Sequence, residues 1–191
     1  MPSRKINLPN VITITRILLI PVFLYFLARG YNGYALAAFA AACLTDAADG
    51  AAARLSHARS ELGALLDPVA DKMLSVSAFA LLTMLGRMPL WLTLTVVLRE
   101  LVVVTGGAAL YLRGHDFRIR PSLMGKAATF LQFTLLAASL LGMYLGRGLM
   151  VTGYLAWTAF AFTAASGLQY VLIGIKMVNR NTGSGAGGGD E

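Results

Sequence analysis

The chain has 191 residues, 57% of them hydrophobic and 13% charged, with a mean hydropathy of +0.68. That balance excludes an ordinary water-soluble domain, because too few polar residues are present to build its surface. The formal charge of +7 comes from Lys and Arg scattered one or two per loop, without the aromatic-basic interleaving of a nucleic-acid surface, so anionic lipid headgroups are the expected partner and nucleic acid is not.

In chain order, "MPSRKINLPN" mixes basic and apolar residues and is expected to lie along a membrane surface. The apolar run after it contains Arg16 and Pro21 and lacks a small-residue exit, so it reads as a retained first span rather than a cleaved leader. Six hydrophobic segments follow one another at 9–28, 34–55, 64–86, 89–112, 123–146 and 150–175. Each is long enough, at ~1.5 Å per residue, to cross a hydrocarbon core of ~30 Å. Short polar turns separate them, which makes neighbours antiparallel. The expected fold is therefore an all-α integral membrane protein, a six-transmembrane-helix bundle with a short N-terminal juxtamembrane segment. Residues 1–177 form its one domain, and the Gly-rich tail at 178–191 has nothing to bury and is expected to be disordered. The lone Cys43 excludes an internal disulfide and reads as a small apolar filler.

Loop charge sets the orientation. With the N-terminus in the cytoplasm, that side carries Arg4, Lys5, Arg59, Arg113, Arg118, Arg120, Lys176 and Arg180, against Arg29, Arg87 and Arg147 on the other. The bias places both termini in the cytoplasm.

The chemistry is expected where the second and third segments meet. Aspartate within a span costs on the order of 2.5–3.5 kcal/mol at the helix centre, which makes it a functional candidate by default. Asp46 and Asp49 close the second segment, and Asp67 and Asp71 open the third. Spacings of three and four put each pair on one helix face. A turn centred near residue 58 or 59 then levels Asp46 with Asp71 and Asp49 with Asp67. Four carboxylates repel one another as bare anions, and Arg54 and Lys72 are too few to neutralise them. Hard oxygen ligands without nearby Cys or His favour Mg2+ or Mn2+ over Zn2+, and such ions usually share their shell with substrate phosphates. Gly50, Gly63 and the small residues Ala51, Ala52 and Ala53 leave room for a diphosphate. His57, in the turn, reads as solvated.

Plainer readings stand beside this one. Asp67 before Pro68 fits an N-cap and first helical position. Asp46 and Asp49 could be salt-bridge partners of Arg54 and Lys72. An EF-hand is excluded by the spacing. A small transporter is the rival from another class, but its ionisable groups line a path near the midplane, whereas these gather at one face.

Written out, the set is D-x2-D-G-x2-A-R-x8-G-x3-D-x3-D, eight fixed positions in a 26-residue window. This resembles the CDP-alcohol phosphotransferase family, six-helix membrane enzymes that move a substituted phosphate from a CDP-linked donor to an alcohol. "INLPNVITITRILLIPVF", "LDPVADK" and "LMGKAATFLQ" are similar to its phosphatidylglycerophosphate synthase and cardiolipin synthase branch, so the likeness spans roughly residues 6 to 177. The resemblance implies metal ligation by Asp46, Asp49 and Asp67, with Asp71 completing the site and acting as general base. It implies that Gly50, Arg54 and Gly63 hold the cytidine diphosphate, that two Mg2+ or Mn2+ ions are bound, and that the protein forms a homodimer. It further implies a bacterial inner (cytoplasmic) membrane location with the site facing the cytoplasm. The donor is then CDP-diacylglycerol. Glycerol-3-phosphate is the first-choice acceptor, and phosphatidylglycerol, giving cardiolipin, is the second.

One departure bears on that choice. Phosphatidylglycerophosphate synthases tend to follow the fourth-span Arg-Glu pair with an arginine about eight residues on, where this chain has Gly107 after Arg99 and Glu100. Arg113, Arg118, Arg120 and Lys126 are the available replacements. Arg99 and Glu100, adjacent on a helix and about 100° apart, need not pair with each other; cavity and packing roles stay open for both. The same cavity and packing roles stay open for Arg16, though two turns into its span it can also snorkel toward headgroups. Ala138 and Gly142, four apart, permit close helix packing.

Overall fold

A computed structural model describes residues 8–56, 61–112, 122–147 and 150–183, with side chains over 15–45, 70–106, 122–147 and 152–174. Six helices account for nearly all of it: α1 Leu8–Ala28, α2 Asn32–Ser56, α3 Glu61–Met84, α4 Leu90–Leu112, α5 Leu123–Tyr144 and α6 Met150–Gly183. Their bounds follow the apolar segments closely because each helix is continued by unbroken apolar sequence and stopped by polar or glycine residues. Two corrections concern the termini. α3 already begins at Glu61, so Asp67 is its seventh residue and not its N-cap. α6 runs through Gly183, past the boundary expected at 177, while residues 184–191 lie outside the described residues.

The helices close into a ring. α1 packs on α2 and α3, α3 on α4, α4 on α6, α6 on α5, and α5 back on α2, with a further α3 to α5 contact across the middle. Among the described residues α2 does not pack on α3, since α1 stands between them on one side. The core is filled by i, i+3, i+4 rows such as Ile20, Phe23 and Leu27 of α1 and Leu74, Ala78 and Leu82 of α3. Phe79, Leu92, Leu135 and Leu136 fill the centre. Gln132 of α5 donates from Nε2 to Thr163 Oγ1 of α6 at 2.9 Å, which satisfies a polar group buried between the two helices.

The outside is apolar too. Leu18, Val22, Leu94, Leu98, Phe130 and Leu168 are exposed, which water would penalise and hydrocarbon would not. Over the described residues, Leu123–Tyr144 and Thr152–Gly174 are long and apolar enough to cross a membrane, and Thr15–Ala28 and Asn32–Thr45 are shorter apolar stretches.

The end carrying the 1–2, 3–4 and 5–6 turns is aromatic. Tyr25, Tyr31, Tyr34, Tyr144, Tyr154 and Trp157 are exposed there, and Trp91 stacks on Trp157 with ring centroids 4.9 Å apart. Such a girdle belongs at a lipid–water interface. α1, α3 and α5 all end there in one motif. Gly30, Gly86 and Gly146 take φ of +74°, +68° and +64°. The amides that follow, of Tyr31, Arg87 and Arg147, donate to the carbonyls of Phe26, Leu82 and Gly142, closing a Schellman turn that glycine adopts without strain.

Candidate active site

At the opposite end lies the α2–α3 turn. α2 ends at Ser56 and α3 begins at Glu61, and residues 57–60, where the turn is expected to be centred, lie outside the described residues. The side chains of Asp46, Asp49, Gly50, Arg54, Gly63 and Asp67 lie outside the described residues, as do Arg113, Arg118 and Arg120.

Asp71 is described, and its surroundings correct one expectation. Arg16 does not snorkel: it is fully buried, and its Nη1 donates to Asp71 Oδ1 at 2.9 Å. The reason is topological, because α1 is the helix wedged between α2 and α3 and its Arg16 points inward at the level of Asp71. The Asp71 side chain remains 40% exposed, open to the cavity beside it.

That cavity measures about 750 Å3 and is framed by five helices. Asp71 and Lys72 come from α3, Arg99 from α4, Gly125 and Lys126 from the start of α5, and Tyr170 from α6. Ala42, Cys43, Leu74, Val103, Phe130 and Phe133 supply an apolar wall, so Cys43 sits at the cavity rather than in the centre of the core.

The cations are held in place. Glu100, buried, contacts both Lys72 Nζ and Arg99 Nη1, so the adjacent Arg99 and Glu100 do pair. Lys72 is thereby engaged on α4 rather than left as a partner for the aspartates. Arg99 Nη2 reaches the Gly125 carbonyl at 3.4 Å. Ser122 caps α5, its Oγ accepting from the Gly125 amide at 3.0 Å. A Cβ at Gly125 would stand 3.2 Å from Tyr170 Oη and 3.4 Å from Arg99 Nη2, so the bare glycine lets α4, α5 and α6 converge. Arg99 Nε is buried with no hydrogen-bond partner among the described residues, a donor left for something in the cavity. The helix N-terminus of α5 adds positive potential beside Lys126. With Asp71 matched by Arg16 and Glu100 by one of its two cations, the wall keeps a positive excess.

A model of the CDP-alcohol phosphatidyltransferase family matches residues 6–165 of this sequence. The chain belongs to that family. A probable phosphatidylglycerophosphate synthase of Mycobacterium tuberculosis is 38% identical over 186 residues, covering 93% of this chain and 83% of that protein. Human cardiolipin synthase (CMP-forming) is 33% identical over 191 residues, covering 90% of this chain and 63% of that protein. A Streptomyces coelicolor cardiolipin synthase (CMP-forming) is 36% identical over 137 residues, 67% of this chain and 62% of that protein. This member of the family is thus a membrane-associated phosphatidyltransferase of phospholipid biosynthesis, and the family uses divalent metals.

Among the described residues no group of His, Cys, Asp or Glu is placed to hold a metal ion; of the four aspartates Asp71 is described, and it opens onto a cationic cavity. Sequence reasoning missed Tyr170 and Thr129 as cavity residues. Nothing in a single apolar span distinguishes them, although the Gly125 close approach is a signal in retrospect.

Proposed function

We propose that this phosphatidyltransferase takes CDP-diacylglycerol as donor and glycerol-3-phosphate as acceptor, releasing CMP and forming phosphatidylglycerophosphate. The observation that carries the acceptor is the cluster of Lys72, Arg99 and Lys126 around the cavity beside Asp71. An acceptor with its own phosphate needs such a cluster, and Lys126 and Arg99 stand in for the cation that Gly107 does not supply.

In this reading Asp46, Asp49, Asp67 and Asp71 hold two Mg2+ or Mn2+ ions, and Gly50, Arg54 and Gly63 hold the cytidine diphosphate. Ions held there would supply charge neutralisation of the diphosphate and favour CMP as leaving group. The protein's own part is positioning and proton transfer. Arg16 fixes the Asp71 carboxylate at the cavity rim, and Asp71 takes the proton from the acceptor hydroxyl as it attacks the donor's β-phosphorus. Lys72, Arg99 and Lys126 grip the acceptor phosphate, with Glu100 keeping the first two in register. Six spans with both termini cytoplasmic put the site at the cytoplasmic face of an inner membrane, and the protein acts as a homodimer.

A second reading has one observation in its favour. About 750 Å3 with an apolar wall exceeds what glycerol-3-phosphate fills and would admit part of a lipid acceptor, as in cardiolipin synthesis from phosphatidylglycerol.

The test is incubation of detergent-purified protein with CDP-diacylglycerol, Mg2+ or Mn2+, and labelled glycerol-3-phosphate or labelled phosphatidylglycerol, resolving the lipid products. Label entering phosphatidylglycerophosphate supports the first reading, and label entering cardiolipin replaces it with the second.

A further inference from the structure

The aromatic end of the bundle carries Arg29, Arg87 and Arg147, and the chain has no Asp or Glu at 1–45, 72–99 or 117–189. Among the described residues no ion pair with a carboxylate is seen for any of these guanidiniums. Arg29 lies over the Tyr25 ring at 5.6 Å. Arg87 and Arg147 instead line one pocket of about 360 Å3 between the 3–4 and 5–6 turns. Its floor is Ser139 and Gly142, both buried on α5, and Thr152 of α6 completes it.

The backbone builds this pair. The Schellman turns at Gly86 and Gly146 aim the residue that follows each glycine off its helix end in the same way. Both arginines thereby line one recess. A guanidinium beside helix C-termini is favoured by the dipole, but that alone does not require both to share a hydroxyl-floored pocket. Two guanidiniums converging without a carboxylate form a receptor for a phosphate oxyanion. The depth is that of the Tyr and Trp girdle, where lipid phosphates lie.

We propose that the Arg87–Arg147 pocket binds the phosphate of an anionic phospholipid headgroup in the leaflet opposite the catalytic one. The site is separate from the Asp71 cavity and rests on the membrane-spanning reading for its depth, not on the transferase reading. Each guanidinium makes charge-assisted hydrogen bonds to the phosphate, and the lipid's acyl chains lie along the exposed apolar flanks of the bundle.

Native mass spectrometry of the full chain titrated with dioleoyl phosphatidic acid tests this, with phosphatidylcholine and inorganic phosphate as separate arms. Wild type is expected to retain one more phosphatidic acid than the R87Q/R147Q variant, whose affinity for that molecule falls about tenfold or more. K126Q, altered in the catalytic cavity, retains it. Equal retention by wild type and R87Q/R147Q overturns the site. An Arg87- and Arg147-dependent effect produced equally by inorganic phosphate or phosphatidylcholine overturns the anionic lipid as its ligand. If the Gln pair does not purify folded, R87K/R147K decides on the same readout, since Lys keeps the charge but loses the bidentate fork; unchanged affinity there counts against the pocket. CMP release, measured on the same preparations, reports independently on the transferase reading.

Discussion

The two ends of the bundle handle charge in opposite ways. At the α2–α3 end, carboxylates and cations are interleaved: Asp71 with Arg16, Glu100 with both Lys72 and Arg99, all around an open cavity. At the other end there are arginines without acids, three helices finished by the same glycine turn, and a girdle of tyrosine and tryptophan. The first arrangement costs desolvation and keeps groups reactive. The second completes its backbone hydrogen bonds and has the aromatic composition suited to a lipid–water interface. In the proposed function chemistry is confined to one end, and the other end anchors it.

The contrast predicts effects that differ by end. The largest comes from chelation: EDTA is expected to abolish turnover, with Mg2+ or Mn2+ restoring it, while the helical content by circular dichroism stays unchanged. Turnover that survives chelation breaks the contrast at its base.

Next is Arg16→Gln. Breaking a fully buried ion pair costs about 3–5 kcal/mol. Asp71 is 40% exposed, so solvent screening lowers the expected stability loss to about 1–2 kcal/mol. Turnover is expected to drop more than that loss alone implies, because the base loses its orientation. A denaturant midpoint measured beside kcat separates the two effects.

Lys126→Gln is expected to raise KM for glycerol-3-phosphate about tenfold, as one charge-assisted contact is lost. KM for CDP-diacylglycerol should not change. An equal rise in both places Lys126 outside the acceptor subsite.

The smallest effect belongs to the far end. Gly146→Ala meets open space, so only the left-handed backbone, at φ +64°, is penalised, by about 1 kcal/mol. A lowered thermal midpoint with unchanged kcat is the expected outcome. A fall in kcat here would show that the ends are not separable.

Much of this division was legible in the sequence, for a physical reason. Apolar runs of membrane-spanning length dictate helices whatever their partners, and α2, α4 and α5 begin and end within two residues of the segments read from hydropathy. The aspartate spacing is read from the sequence alone, and the side chains of Asp46, Asp49 and Asp67 lie outside the described residues. The pairing of Arg16 was not legible, because its partner lies 55 residues away and its inward aim depends on α1 standing between α2 and α3. The pairing of Arg99 with Glu100 was not legible either: helical geometry gives no reason for them to meet, and it took Lys72 from α3 and Gly125 from α5 to bring them together. Lys126 was recognised only as one of four loop cations, and packing at Gly125 is what brings it to the site. At the far end Arg87 and Arg147 read as isolated loop charges until the two glycine turns joined them in one recess.

The account's central claim is that phosphatidyl transfer runs at the α2–α3 end with Asp71 as the base. The most direct measurement is CMP release from CDP-diacylglycerol with glycerol-3-phosphate by wild type and by Asp71→Asn, alongside donor binding by each. The account predicts metal-dependent release by wild type, a loss of about 10²–10⁴-fold or more in the variant, as removal of a general base entails, and donor binding that remains measurable. Release by Asp71→Asn at the wild-type rate would contradict it.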